Sequence, residues 1–323
     1  MIIMISLDNK YFTQIIDKKI YEKNYKKYIV DSYKGSGYIK AFNVMDGLEL
    51  AYLDMDVKVS MKNMLSIDKK CIEITCCLNG QVEIMLDNGK YIFMSDGDIS
   101  LFGYQTKAAY CDVTGKHFKG IRIMIYIDKF ISGLNKMFDT DKFEKDSFFG
   151  KIFNSDRVII SHGNVSLNHI LKELYVLPDE YNECLMRIKV VELIFYLVSG
   201  IDYKKNDTIY FSKESIEKIK EARKILLDNL DKFITIKELS KQVSMNATDL
   251  EKGFKSIYGT TIFTYGKMEK MKKAKELLED EALSILEVSL AVGYSNGGKF
   301  AKAFKETFGM LPTRYRKEKG MSK

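Results

Sequence analysis

Residues 285–315, ILEVSLAVGYSNGGKFAKAFKETFGMLPTRY, repeat the pattern of residues 236–265, IKELSKQVSMNATDLEKGFKSIYGTTIFTY. The two segments align at a shift of 49 residues, which becomes 50 after one extra residue in the second segment. Each copy predicts a short helix, a tight turn and a second helix. The matching positions are Ile236, Leu239, Ser240 and Val243 with Ile285, Val288, Ser289 and Val292, followed by Leu250, Phe254, Tyr258, Gly259 and Tyr265 with Phe300, Phe304, Phe308, Gly309 and Tyr315.

Capping and turn residues mark the helix boundaries in this region. Thr235 followed by Glu238 is the pattern of a capping box at the start of the first copy. Gly293 permits a tight turn in the second copy, after which Ser295 or Asn296 caps the next helix. The predicted helices lie at about 212–230, 236–243, 247–258, 263–279, 285–292, 296–308 and 311–316.

A pair of helical hairpins in one chain fits two neighbouring turns of a DNA duplex. A helix fits the major groove, and the helix that holds it from behind requires an apolar rear face, which Phe254 and Phe304 help to supply. Two such helices about 34 Å apart would enter successive grooves. A helical repeat for protein binding is the alternative, but such a repeat does not require the glycine that ends the second helix in both copies, Gly259 and Gly309. The outward positions are Ala247, Thr248, Glu251, Lys252 and Lys255, then Gly297, Gly298, Lys299, Lys302 and Lys305.

The charge of the chain is concentrated in its C-terminal third. Residues 1–209 carry 28 basic and 28 acidic groups, whereas residues 210–323 carry 23 basic and 16 acidic groups, which is the whole net charge of +7. A neutral part joined to a basic part is typical of a sensor joined to a nucleic-acid-binding domain. A lysine-rich solubilising surface is the alternative, and the repeat favours the first interpretation.

The front of the chain predicts a different architecture. Between Leu48 and Ile127, short alternating segments are separated by turn signals at Asn79-Gly80, Asp87-Asn88-Gly89 and Asp96-Gly97. These hairpin-like patterns predict an antiparallel, cupin-like β-barrel or jelly roll, with Ile72, Ile74, Cys76 and Leu78 on one strand face. The pattern of residues 128–199 predicts helices, and residues 202–207 are predicted to be a linker. The start, MIIMISL, is predicted to be an ordinary strand or helix.

The predicted fold class is therefore α+β, with an effector-sensing or dimerisation domain at 1–205 and an all-α DNA-binding domain at 210–323. A broad apolar stripe on the helix 183–198 (Met186, Val190, Leu193 and Leu197) either packs onto the barrel or forms a dimer seam.

The run VGYSNGGKFAKAFKETFGMLPTRYRK, residues 292–317, resembles the signature of AraC/XylS-type transcriptional regulators. The resemblance implies two helix-turn-helix units, here about 236–258 and 285–308, behind an effector-sensing domain. It also implies promoter DNA and RNA polymerase as partners and transcriptional activation as the commoner mode. Ser289, Leu311, Gly297 and Gly298 depart from the usual pattern. The matching positions are Gly293, Tyr294, Phe300, Phe304, Lys305, Gly309, Pro312, Tyr315 and Arg316.

Each predicted DNA-binding residue has an expected role. In the first copy, Thr248, Glu251 and Lys252 would read bases. In the second copy, Gly297 and Gly298 stand where the family usually has longer polar side chains, so Asn296, Lys299 and Lys302 are the expected contacts. Phosphate contacts are assigned to Lys255, Lys305 and Arg314.

The front domain is similar to that of PchR-type regulators through its CLNGQVEI, NGKY, DGDISLF and KGIRIMIYID segments. Regulators of that type respond to small iron-chelating compounds, but the effector of this chain stays unassigned, and a homodimer is left open. No cofactor is expected.

Other chemistries have weaker support in the sequence. His117, His162 and His169 form no His-x-His pair, so a metal site is disfavoured. The cysteines show no zinc spacing and are interpreted as small buried hydrophobes, with a thiol-based redox or metal sensor as the alternative. They are Cys71, Cys76, Cys77, Cys111 and Cys184.

The class of protein and its compartment follow from the remaining features. No phosphate-binding loop or nucleophile elbow appears, so the chain is not expected to be an enzyme. No apolar run approaches about 20 residues, so no membrane partner is expected. Unpaired cysteines favour the cytoplasm.

Overall fold

A computed structural model describes residues 16–32, 35–57, 61–62, 71–103, 108–113, 117–153, 158–176, 183–200 and 209–320. The chain divides into two compact units, Met1–Phe211 and Ser212–Lys323. The first unit contains antiparallel sheets and the second is helical, so the fold class is α+β, as predicted. The segment MIIMISL and the linker 202–207 lie outside the described residues.

The first unit is built on antiparallel strands with helices after them. Its helices, within the described part, are α1 (Ile127–Met137), α2 (Lys145–Phe153), α3 (Val165–Val176) and α4 (Glu183–Gly200). Its strands are β1 (Lys18–Tyr21), β2 (Tyr25–Ser32), β3 (Gly35–Met45), β4 (Leu48–Val57), β5 (Met61–Lys62), β6 (Cys71–Asn79), β7 (Val82–Leu86), β8 (Tyr91–Met94), β9 (Asp98–Phe102), β10 (Ala108–Val113), β11 (Phe118–Tyr126) and β12 (Ile159–His162).

These strands form two sheets that share a core. One sheet has the order β1-β2-β3-β4-β11-β6-β9-β12 and the other has the order β5-β10-β7-β8. Side chains of both sheets, such as Ile39 and Leu53 from the first and Ile84 and Ile92 from the second, meet in one buried cluster. Sheets that face each other in this way enclose an apolar interior between them.

The predicted turns are present, but they do not all close hairpins. The turn at residues 87–89 joins β7 to β8, which pair with each other. The turn at Asn79-Gly80 joins β6 to β7, and the turn at Asp96-Gly97 joins β8 to β9, so each links strands of different sheets. A turn signal in the sequence shows where the chain changes direction. Which strands then pair depends on the sheet in which each strand buries its apolar side chains.

The opposite face of the larger sheet is covered by helices. Ile72, Ile74 and Cys76 are buried there, and Leu78 packs against the same cluster, as the alternation predicted. The apolar stripe of α4 is also buried in that cluster. Of the two interpretations of this stripe, packing within the unit is therefore correct. The stripe comprises Met186, Val190, Leu193 and Leu197.

Two parts of the first unit differ from the sequence-based prediction. Strand β12 lies within the region 128–199, whose pattern predicts helices, and it pairs with β9. Strands β1 to β3 precede residue 48, where the predicted strands began. Tyr210 and Phe211, just after the predicted linker, also belong to the first unit, because Phe211 exchanges backbone hydrogen bonds with Tyr91.

The helices of the second unit fall close to their predicted positions, apart from a final helix that continues to Gly320. No helix in the described ranges is both long and apolar enough to cross a membrane. The helices are α5 (Lys213–Asp228), α6 (Ile236–Gln242), α7 (Ala247–Tyr258), α8 (Ile262–Leu277), α9 (Ile285–Ala291), α10 (Gly297–Phe308) and α11 (Pro312–Gly320).

Candidate nucleic-acid interface

The first helix of each hairpin begins with a capping box. The Thr235 amide donates to Glu238 Oε2 at 2.8 Å, and the Glu238 amide donates to Thr235 Oγ1 at 3.2 Å. Ser284 and Glu287 form the same reciprocal pair at 2.7 and 3.1 Å. Backbone hydrogen bonding lowers the pKa of both glutamates. Both glutamates are therefore ionised at neutral pH, where they hold the capping boxes in place.

The second helix of each hairpin has an asparagine cap and a glycine end. Asn246 Oδ1 accepts from the Thr248 amide at 2.8 Å, and Asn296 Oδ1 accepts from the Lys299 amide at 2.9 Å. Of the two caps proposed for α10, Ser295 or Asn296, the structure therefore uses Asn296. The helix α10 ends at residue 309 in the left-handed conformation, with φ of 77°.

The rear faces of α7 and α10 are buried, as the repeat predicted. Leu250 and Phe254 are fully buried on α7, and Phe300 and Phe304 are fully buried on α10. In the second hairpin these aromatic rings pack with apolar side chains of α9 and with Met271 from α8. The apolar rear faces fix which side of each helix points outward.

The predicted residues of α7 are not equally exposed. Thr248, Lys252 and Lys255 are exposed, whereas Ala247 and Glu251 are half-buried. One carboxylate oxygen of Glu251 is shielded from solvent and has no hydrogen-bond partner among the described residues. Base reading by Glu251 would therefore require its side chain to turn outward, which sequence periodicity alone does not reveal.

The predicted residues of α10 all lie at the surface. Gly297, Gly298, Lys299, Lys302 and Lys305 are exposed. A Cβ atom at position 297 would meet nothing within 4 Å, and one at position 298 would meet only the Asn296 side chain. The protein fold therefore does not require glycine at position 297, whereas a side chain at position 298 would press on the capping oxygen of Asn296, 3.2 Å away.

Two predicted residues have partners within the protein. Asn296 is exposed, but its side-chain oxygen caps α10. Arg314 lies on α11 and donates from Nε to Glu318 at 2.7 Å. An exposed pair of this kind contributes little to stability, so a phosphate could compete for the guanidinium group.

The remaining predicted cations are five lysines: Lys252, Lys255, Lys299, Lys302 and Lys305. Within the described ranges, none of them forms an ion pair. All five are exposed, on the outward sides of α7 and α10. Cations that are not engaged in an ion pair attract phosphate at no cost in broken ion pairs.

The sequence-based prediction missed two lysines of the connecting helix α8. Lys267 forms an ion pair with Glu306 of α10 at 2.7 Å. Lys270 donates from Nζ to three backbone carbonyl oxygens of neighbouring segments. No pattern in the sequence distinguishes these two lysines from Lys272 and Lys273 beside them.

A family model described as a helix-turn-helix domain matches residues 239–318, which contain most of both hairpins. Residues 239–318 form an AraC-type helix-turn-helix domain. The predicted resemblance of this region is thus confirmed, and the two units of the AraC-type domain are α6–α7 and α9–α10.

Two curated regulators are similar to this chain. The Msm operon regulatory protein of Streptococcus mutans is 27% identical over 168 residues, which cover 52% of this chain and 56% of that protein. The xylose operon regulatory protein of Escherichia coli K12 is 32% identical over 96 residues, which cover 30% of this chain and 24% of that protein. The chain thus matches at most about half the length of these relatives.

Solved structures of regulators are also similar to this chain, at low overall TM-scores. An AraC-type regulator from Chromobacterium violaceum is 25% identical, with a TM-score of 0.32, over 34% of this chain and 97% of that chain. A ligand-free variant of ToxT from Vibrio cholerae is 12% identical, with a TM-score of 0.33, over 84% of this chain and 97% of that chain.

In front of the AraC-type domain, three of the five cysteines lie in surroundings that oppose thiol chemistry, whereas Cys111 is half-buried and Cys184 is exposed. Cys71, Cys76 and Cys77 are buried, and desolvation raises the pKa of Cys71 and of Cys77 to about 12. The pKa of Cys76 is raised by burial as well. A thiol that stays protonated and inaccessible is a poor redox sensor, so these three cysteines do not favour the thiol-sensor alternative.

The three histidines lie beside carboxylates. His117 lies between Asp54 and Asp56, at 3.1 and 2.9 Å, and His162 Nδ1 lies 2.9 Å from Asp98. The third, at position 169, lies 3.4 Å from a glutamate one turn along the same helix. Among the described residues, no group of three or more potential ligands is arranged to hold a metal ion.

Proposed function

We propose that this protein is a sequence-specific DNA-binding transcriptional regulator whose two helix-turn-helix units bind neighbouring segments of promoter DNA. The observation that carries the proposal is the pair of exposed, capped helices α7 and α10, each with unpaired lysines on its outward side. The names of the matched relatives, which are operon regulatory proteins, agree with this assignment.

The helices α7 and α10 would make different kinds of contact with DNA. Thr248 and Lys252 of α7 have side chains that can bond base edges in the major groove. On α10 the outward side begins with two glycines and continues with Lys299, Lys302 and Lys305, which would mainly hold phosphates. Close approach of the DNA backbone is the simplest reason for glycine where the fold demands none.

The first test is the salt dependence of binding by the full-length chain. With six to eight phosphate contacts, the slope of log K against log salt should be about −5 to −7. A duplex that carries the promoter of the protein's own gene is compared with a random duplex of equal length. A flat salt response, or equal affinity for both duplexes, contradicts the proposal.

The first unit is proposed to bind a small-molecule effector between its two sheets, and so to change the hold of the second unit on DNA. The interior there is mostly apolar, but it contains a buried ion pair in which Arg122 donates to Glu73 Oε2 at 2.6 Å. A few polar groups within an apolar enclosure are typical of ligand sites. Thermal shifts of the full-length protein with siderophores, sugars, bile acids and metals would test this.

The direction of regulation and the further partners are also proposals. Activation through RNA polymerase is the mode that the family resemblance favours. Leu185 and Ile188 of α4 are 41% and 54% exposed, which leaves an apolar surface for a homodimer contact. Analytical ultracentrifugation at two concentrations distinguishes a dimer from a monomer, and transcription in vitro with and without the protein distinguishes activation from repression.

A further inference from the structure

Lys270 lies near the middle of α8, the helix that connects the two helix-turn-helix units. Its Nζ atom donates to the carbonyl oxygens of Leu230 at 2.6 Å, Lys232 at 3.0 Å and Val292 at 3.1 Å. An ammonium group has three N–H donors, so three carbonyls satisfy it completely. This lysine is therefore committed to the protein and is not among the cations available to DNA.

The three carbonyls lie on segments that adjoin different helix-turn-helix units. Leu230 and Lys232 lie in the loop that leads from α5 into α6, immediately before the first helix-turn-helix unit. Val292 is the C-cap of α9 and begins the turn of the second helix-turn-helix unit. Because one ammonium group bonds to both segments, a displacement of either segment relative to α8 breaks its hydrogen bonds to Lys270.

The same junction explains why Gly293 is a glycine. Its φ is +77°, and a Cβ atom there would lie 2.7 Å from the Asp231 carbonyl oxygen and 2.7 Å from Lys270 Nζ. The corresponding turn residue of the first helix-turn-helix unit, Ser244, also has a positive φ, of 50°, yet it carries a side chain and is exposed. Glycine at position 293 of the second helix-turn-helix unit is therefore required by the close approach of Asp231 and Lys270 as well as by the turn.

The surroundings of Lys270 are only partly accessible to water. The side chain is half-buried, and desolvation lowers the pKa of Lys270, although the nearby carboxylate of Asp231 acts in the opposite direction. A hydrocarbon side chain at this position would leave three carbonyls without their donor. Charge-assisted hydrogen bonds are stronger than neutral ones, so no uncharged residue of similar length replaces them fully.

We propose that Lys270 is a positioning residue that fixes the second helix-turn-helix unit relative to the first and thereby sets the spacing between the two DNA segments that the protein accepts. This inference rests on the proposed function. Two linked binding modules gain affinity only when their geometry allows both to bind at once. A rigid junction should therefore make binding sensitive to the distance between the two segments.

The test uses the full-length chain and a duplex that the wild-type protein has selected from a randomised pool. Affinities are measured for that duplex and for versions with one or two base pairs inserted between the two segments, which rotate one segment by about 35° per base pair. The variants are Lys270→Met and Lys270→Arg, with Lys273→Met as the control, because Lys273 lies on the same helix and pairs only with Glu276 among the described residues.

For the wild type, we expect a two-base-pair insertion to weaken binding by at least about tenfold, since the second helix-turn-helix unit loses its contacts with DNA. For Lys270→Met, we expect weaker binding to the selected duplex and an insertion penalty of about threefold or less. Lys270→Arg, which keeps charge and donors, should restore most of the penalty, and Lys273→Met should match the wild type. A folded Lys270→Met protein with the wild-type penalty overturns the inference.

A second pair of variants removes the dependence on whether Lys270→Met folds. Gly293→Ala introduces strain at φ +77° and a clash with Asp231, whereas Gly309→Ala introduces the same strain at φ +77° with nothing within 4 Å. Only Gly293→Ala should lower the insertion penalty. Equal penalties in the two variants contradict the inference, whereas failure of the wild type to select any sequence contradicts the proposed function itself.

Discussion

The exposed lysines of α10 allow a quantitative prediction about salt. Six cations in the predicted interface, five unpaired lysines and Arg314, correspond to a slope of log K against log salt of about −5.4, at about −0.9 for each counterion that a bound cation displaces from the duplex, whether it lies against a phosphate or in the groove. Replacing Lys302 and Lys305 by alanine should leave a slope of about −3.6. Both side chains are exposed, so the double substitution should not disturb the buried face of the helix.

The difference between these slopes is large enough to measure. Between about 50 and 200 mM salt, the wild type should lose about 2,000-fold in affinity, whereas the double variant should lose about 150-fold. Fluorescence anisotropy with a labelled duplex at four salt concentrations gives both slopes. Thermal unfolding of the two proteins should be the same, because no buried contact is removed.

The matched control is the double substitution Lys272→Ala and Lys273→Ala on α8. It removes the same two charges, but these lysines pair with Glu269 and Glu276. The slope of this control should stay close to that of the wild type. If both double variants reduce the slope equally, the effect comes from net charge and the assigned phosphate contacts are wrong.

Four further outcomes are expected. Replacing Lys252 by alanine should weaken the cognate duplex by about 1–3 kcal/mol if it bonds a base edge, and equal loss on random DNA would make it a phosphate contact. Replacing Arg122 by methionine removes the ion-pair partner of the buried Glu73 side chain, so the first unit should lose about 3–5 kcal/mol of unfolding free energy, measured by urea denaturation. Asn246→Ala should cost about 1 kcal/mol through the lost cap of α7, and unchanged stability in the same assay would contradict the assigned cap. In a native alkylation experiment, exposed Cys184 should react within minutes while the buried thiols stay unmodified until the protein unfolds.

The helical repeat could be predicted because its signals are local. Thr235 with Glu238, the glycine breaks and the spacing of Leu250 and Phe254 all act within one or two helical turns. The structure keeps each of them, and a second capping box of the same kind begins α9. Local hydrogen bonds and helical periodicity are readable from one segment without knowledge of the others.

The parts that escaped prediction depend on partners distant in the chain. Strand β12 exists because residues 159–162 pair with β9, about sixty positions earlier, and its apolar run resembles a buried helix segment when read alone. The shielding of Glu251 and the three carbonyl contacts of Lys270 likewise depend on tertiary packing. The exposure of the predicted lysines was readable, but whether any of them formed an ion pair was not.

The most direct test of the central claim is selection of bound duplexes from a randomised pool by the full-length protein in moderate salt. We expect enrichment of one sequence class with two segments about one helical turn apart, of which the segment facing α7 is the more strictly defined. Recovery of unselected sequence, with no enrichment over the starting pool after several rounds, would contradict it.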